Sequence, residues 1–159
     1  MSEEAVVAKS GRFLMIDDCL FFQSLVSATL ALDGWQVDAV GSGAEGLFEA
    51  RARQPDMILL DINLPDMSGF EVFALLKAGA ETQHIPVLFM TGSTEEGEEA
   101  RAREMGATDF LSKPVSMKEL RAHVQGVSQA CLEGQLAPTS DDIQSIPSGT
   151  RPGGGAGTG

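Results

Sequence analysis

"MILLDINLPDMSGFEV", residues 57–72, decides the fold. Its first four residues are apolar and the fifth is Asp61, the composition of a short strand covered on both faces. In open α/β sheets, ligands sit outside the carboxyl ends of the strands. A carboxylate at the end of a buried strand is therefore a candidate for such a site.

Working outward, the chain from Arg12 to about Ala130 alternates short apolar runs with longer stretches of helical spacing. That alternation predicts an α/β fold with a parallel sheet and helices on both faces. The strand candidates are RFLMIDD (12–18), WQVDAV (35–40), MILLDI (57–62), PVLFMT (86–91) and TDFLSK (108–113). Phe22, Leu25, Val26, Thr29 and Leu30 form one helical stripe, and Met117, Leu120, Val124 and Val127 form another; each reads as core. The segment 95–106 has only Ala100, Ala102 and Met105 as its apolar face, so its helix is expected to be thinly anchored. The expected organisation is a flexible N-terminus at 1–11, one domain at 12–130, and a Gly/Pro/Ser-rich disordered tail at 131–159.

Charge and composition narrow the function. With 23 acidic and 11 basic residues the net charge is −12, which argues against direct nucleic-acid binding through bulk electrostatics. Cys19 and Cys131 are too few and too far apart for a disulfide framework or a zinc site. Cys19, beside the acidic pair, reads as a small buried residue at a helix start. His84 and His123 read as surface residues. No stretch approaches the roughly 18 apolar residues of a membrane span, so a cytoplasmic protein without membrane insertion is expected.

Polar residues at the strand ends are candidates for one shared site: Asp17 and Asp18 after the first strand, Asp61 after the third, Thr91 after the fourth, and Ser112 and Lys113 after the fifth. Singly, each has an ordinary explanation; Asp17 or Asp18 suits the cap of a helix starting near Leu20, and Lys113 suits a solvated charge. Jointly they place three carboxylates, a hydroxyl and an ammonium on one rim. Carboxylates so crowded repel unless a hard cation neutralises them, and Mg²⁺ is the cation that prefers such oxygen ligands. Magnesium bound by few carboxylates usually serves phosphate chemistry, in which Lys113 would offset phosphoryl charge and Thr91 would donate to a phosphoryl oxygen.

With MIDD (15–18), MILLDINLPDMSGFEV (57–72), VLFMTGS (87–93) and GATDFLSKPVSMKEL (106–120) in place, the chain resembles the receiver domain of two-component response regulators, of the single-domain chemotaxis type. The separations of 43, 30 and 22 residues between Asp18, Asp61, Thr91 and Lys113 agree with that family over Arg12 to Gln129. The resemblance implies a flavodoxin-like, doubly wound, five-stranded parallel sheet of order 2-1-3-4-5 with five helices. It implies that Asp61 is the phosphoacceptor, that Asp18, Asp61 and the Asn63 carbonyl hold Mg²⁺, and that Asp17 acts on the metal largely through water. Thr91 and Phe110 take the switch positions, Pro65 and Gly69 the loop positions after the acceptor, and Lys113–Pro114 the family's cis peptide; Gly92 stands where Ala is more usual. Asn63 and Ser93 take positions flanking the path of hydrolytic water.

On this reading the protein accepts a phosphoryl group from a histidine kinase or phosphotransfer protein and is no enzyme beyond its own phosphorylation and dephosphorylation. A downstream protein effector is expected on the face of residues 95–120. Two rival readings compete with this one. A haloacid-dehalogenase-type phosphatase also forms an aspartyl phosphate but wants a second Asp two residues after the nucleophile, where this chain has Asn63. A receiver-fold binding module without phosphorylation usually lacks an acid, the lysine or the acceptor, and none is lacking here.

Overall fold

A computed structural model describes residues 11–92 and 97–132. The segments read as a flexible N-terminus and a disordered tail lie outside these residues except at their inner ends, and so does Ser93. The elements are β1 (Arg12–Ile16), α1 (Leu20–Ala31), β2 (Gln36–Val40), α2 (Gly43–Arg53), β3 (Met57–Asp61), α3 (Gly69–Ala78), β4 (Val87–Thr91), α4 (Glu98–Glu104), β5 (Asp109–Ser112) and α5 (Met117–Leu132). All five strands run parallel in the order β2-β1-β3-β4-β5. This is the expected doubly wound sheet, each strand falling within its expected segment.

The strand compositions follow from their places. Central β3 and β4 are buried at every residue, and β1 at all but Arg12. Edge strand β2 leaves all its residues at least partly accessible, and its Asp38 pairs with Arg12 at 3.1 Å. One face of the sheet carries Leu14, Ile16, Ile58, Leu60 and Phe89 against Leu47 of α2, Phe70, Phe73 and Leu76 of α3, and Ala102 of α4. The other carries Phe13, Met15, Leu59, Leu88 and Met90 against Val26 and Leu30 of α1 and Leu120, Val124 and Val127 of α5. The period-two alternation of the strands thus feeds two cores.

Local signals set the helix starts nearest the site. Helix α3 opens with a capping box: Ser68 Oγ accepts from Phe70 N at 3.0 Å and Glu71 Oε1 accepts from Ser68 N at 3.0 Å, an arrangement that contributes about 1 kcal/mol. Helix α2 is capped by Ser42, whose hydroxyl accepts from Glu45 N at 3.2 Å. It is also held from a distance by Asp66, whose carboxylate accepts from Gly43 N at 2.8 Å and Ala44 N at 3.0 Å. These two bonds keep the Asp66 carboxyl below its ordinary range and pin the loop after β3 to the start of α2.

Four details differ from expectation. Cys19 is exposed, because Asp17 and not the cysteine turns inward at the end of β1. Leu25 is half-exposed while Val26 and Leu30 are sealed, so the buried stripe of α1 is narrower than its apolar pattern. Ala100 of α4 is exposed, leaving Ala102 as that helix's buried anchor. The last helix continues through Cys131 and Leu132, two residues past the expected boundary, since nothing in its sequence breaks the helix there.

Candidate functional site

Four of the residues picked from sequence meet at the carboxyl end of the sheet. Asp17 follows β1 with 2% of its surface exposed and Asp61 ends β3 with 5%; Asp18 beside them is exposed. One carboxylate oxygen from each of the three lies within 4.8 Å of the others. Lys113, just after β5, reaches over the group and donates from Nζ to Asp17 Oδ2 at 2.9 Å and to Asp61 Oδ2 at 3.5 Å. The ammonium also stands 5.1 Å from the centre of the Phe22 ring, a half-buried residue of α1 that limits where the lysine can go.

The two buried carboxylates are held differently. Asp17 has both oxygens engaged, Oδ1 by Cys19 N at 2.9 Å and Oδ2 by Lys113. The sequence had suggested Asp17 or Asp18 as a helix cap; Cys19 is the N-cap of α1 without a side-chain bond, and Asp17 anchors that residue from two positions before. Asp61 Oδ1 accepts from Asn63 N at 3.1 Å. Its Oδ2 has the Lys113 contact at the outer limit of a hydrogen bond, so this oxygen is the more loosely committed of the pair.

Electrostatics follow from that arrangement. Burial pushes the Asp61 carboxyl above its ordinary range, the Asn63 amide opposes this, and the Asp17 charge adds to it. Lys113 is moved the other way by its burial, yet its bonds and attraction to Asp17 and Asp61 prevail, and its ammonium is held more strongly than usual. Three carboxylates face one ammonium. The donor set, oxygen only and without sulfur or imidazole, fits a hard divalent cation such as Mg²⁺.

The backbone allows the loop after β3 to lie close to the end of that strand. A Cβ on Gly69 would stand 2.4 Å from the Asp61 carbonyl oxygen and 2.7 Å from Ile62 Cα. Its φ is not positive, so glycine is needed there for close approach and not for an unusual backbone conformation. Among the described residues a Cβ on Gly92 would meet only Lys113 carbons, at 3.8 Å and 3.9 Å, an ordinary contact distance. Lys113–Pro114 is cis.

Thr91 and Phe110 lie on one side of the sheet. Phe110 pairs in register with Phe89, and two residues on from Phe89 the same face carries Thr91. Phe110 is half-buried against the core that includes Ala102, a core that Met105 and Ala107 also pack against. The buried Thr91 hydroxyl donates to Glu98 Oε1 at 3.1 Å. Glu98, Asp66 and Gln23, whose Nε2 donates to the Asp17 carbonyl at 2.7 Å, were not picked from the sequence. Each acts through a contact made by folding, and only Asp66, inside a turn-rich run just before a helix, carried any local sign.

His84 is exposed. His123 lies half-buried on α5 with Nδ1 2.6 Å from Asp109 Oδ2. Among the described residues no helix is long and apolar enough to cross a membrane.

Comparison with known proteins agrees with the geometry. Residues 13–125 match the response regulator receiver domain family. The polar-differentiation response regulator DivK of Brucella ovis is 41% identical over 96 residues, covering 60% of this chain and 75% of DivK. Response regulator PleD of Caulobacter vibrioides is 36% identical over 120 residues, covering 76% of this chain; the chain spans only 26% of PleD. Among solved structures, the chemotaxis protein CheY4 of Vibrio cholerae superposes with a TM-score of 0.69 at 30% identity, covering 74% of this chain and 98% of CheY4. By sequence match, strand order and the carboxylate cluster together, this chain belongs to the response regulator receiver domain family.

Proposed function

We propose that Asp61 accepts a phosphoryl group from a phosphohistidine of a histidine kinase or phosphotransfer protein. The observation that carries the reading is the loosely held Oδ2 of a buried carboxylate, beside two further carboxylates and one ammonium. The Asp61 oxygen attacks phosphorus, the P–N bond breaks, and the imidazole leaves with the electron pair. In-line phosphoryl transfer needs mainly positioning and charge neutralisation. Asp18, Asp61 and the Asn63 carbonyl would hold Mg²⁺, with Asp17 acting through water, and the ion would supply the positive charge that three carboxylates and an incoming phosphoryl group require.

The chain's own residues do the rest. Lys113, already shared by Asp17 and Asp61, pairs with phosphoryl oxygens once the acceptor charge is spread over the product. Thr91 donates its hydroxyl to another. That rearrangement is read out on the face of α4, β5 and α5, near Glu99, Arg103, Phe110 and Lys118, where a protein effector docks. Support for this face comes from the single fully buried residue of α4 and from the shared sheet side of Thr91 and Phe110. A phosphate switch shifts only populations it binds unequally, and a thinly packed helix is the element it moves most readily.

Incubation with a small phosphodonor, with and without Mg²⁺, tests the reading. One phosphoryl group gained only with the metal is the expected result. Sustained turnover of phosphomonoesters would favour the phosphatase, and no gain under either condition would favour an inert binding module.

A further inference from the structure

We propose that Glu98 is a positioning residue that acts through Thr91, holding its hydroxyl in the unphosphorylated state against the pull of a phosphoryl group on Asp61. The inference rests on Asp61 being the phosphoacceptor but concerns a residue to which that chemistry assigns no role. Thr91 is 2% exposed and donates to Glu98 Oε1 at 3.1 Å. A hydroxyl has one hydrogen to donate, and a carboxylate is a stronger acceptor than a neutral oxygen. A phosphoryl group at Asp61 that recruits this hydrogen therefore takes it from Glu98.

The consequence falls on α4. That seven-residue helix has one fully buried side chain, Ala102. Its other ties to the domain include Arg101 stacked 4.1 Å from the centre of the Phe70 ring, whereas the Glu99–Arg103 pair is internal to the helix. Glu98 opens the helix, so its bond to Thr91 tethers the first turn of α4 to the end of β4. When the phosphoryl group takes the hydroxyl, Glu98 loses that partner and its negative charge faces added negative charge. Both effects drive the first turn of α4 away from the sheet. Glu98 thus opposes activation, and its loss favours the active arrangement.

The test uses the full chain and has two arms. Without any phosphodonor, amide NMR spectra are compared for wild type, Thr91→Val, Glu98→Ala and the double variant. Shared, non-additive shifts at Ala102, Met105 and Phe110 are expected, with Glu98→Gln, which keeps an acceptor oxygen, close to wild type. With a small phosphodonor and Mg²⁺, Glu98→Ala should be phosphorylated about 3- to 10-fold faster than wild type, the worth of one net hydrogen bond, and Glu98→Gln should recover most of the wild-type rate. Additive shifts, or equal rates for Glu98→Ala and wild type, overturn the proposal and leave the phosphoacceptor reading intact. A wild type that takes no phosphoryl group overturns the competition through the reading beneath it, and non-additive shifts in the first arm identify that case.

Discussion

Asp61→Asn should stabilise the protein in the absence of metal. The carboxylates of Asp17, Asp18 and Asp61 offer oxygens within 4.8 Å of one another. At that separation each pair repels by about 3.5 kcal/mol at an effective dielectric constant near 20, and the attraction of Asp61 to Lys113 at 3.5 Å offsets about 4.7 kcal/mol. Asp18 is exposed, so its share is screened, while the burial that most strongly raises the Asp61 pKa costs further. Neutralising Asp61 should therefore gain about 1–3 kcal/mol, or about 4–10 °C in Tm for a domain of this size. The sign with pH follows: a carboxyl whose folded pKa is raised binds its proton more tightly when folded, so its ionisation removes stability as pH rises above the ordinary aspartate value of 3.8. The advantage of the variant is complete at neutral pH and shrinks as pH falls towards 3.8. Trp35, the single tryptophan, packs edge-on to Phe13 at 5.5 Å, so its fluorescence reports unfolding in urea or on heating. An unchanged or lower Tm at pH 7.5, or a gain equally large at pH 4.5, would refute the electrostatic reasoning.

Lys113→Ala should lower metal-free stability by about 1–3 kcal/mol, because it leaves Asp17 and Asp61 without their shared cation; a midpoint in urea equal to wild type would contradict this. Gly69→Ala should cost about 1–3 kcal/mol, since its Cβ would press on the backbone at Asp61 and Ile62, and an unaltered denaturation curve would exclude that close approach. Asp66→Ala should lower Tm at neutral pH, and because the folded pKa of Asp66 is depressed, the difference should vanish as pH falls below the ordinary aspartate range; a pH-independent difference would show that its bonds to α2 are not the cause. An Asn63→Met, Ser93→Tyr double variant should keep its phosphoryl group longer than wild type, measured as loss of acid-labile phosphate, and an equal or shorter lifetime would count against water access past these positions.

The parts of the molecule legible in sequence are those fixed by local pattern. Buried β3, ending at Asp61, is a run of apolar residues followed by turn chemistry, so both the strand and the exit of its carboxylate to the sheet's edge could be read. The meeting of Asp17, Asp18, Asp61 and Lys113 followed from parallel strands sharing one end. What the pattern did not carry was the partner of each group. Glu98 reaches Thr91 only because α4 returns over the end of β4, and Asp66, though its turn-rich surroundings mark it locally, meets the start of α2 across 23 and 22 residues of sequence. The exposures of Leu25, Ala100 and Cys19 depend on how far a helix rolls against the sheet, which periodicity defines only to within a residue or so. The need for glycine at position 69 also came from packing, since its backbone is ordinary and only the closeness of Asp61 excludes a side chain.

The central claim is that Asp61 forms the phosphoryl bond, and trapping the bond itself tests this most directly. Wild type and Asp61→Asn are treated with a small phosphodonor and Mg²⁺, reduced with borohydride to fix any acyl phosphate, digested and mapped by mass spectrometry. Reduction confined to the peptide carrying Asp61, and absent from the variant, is the expected result. Reduction at Asp17 or Asp18 in wild type, or undiminished labelling of Asp61→Asn, would contradict the account.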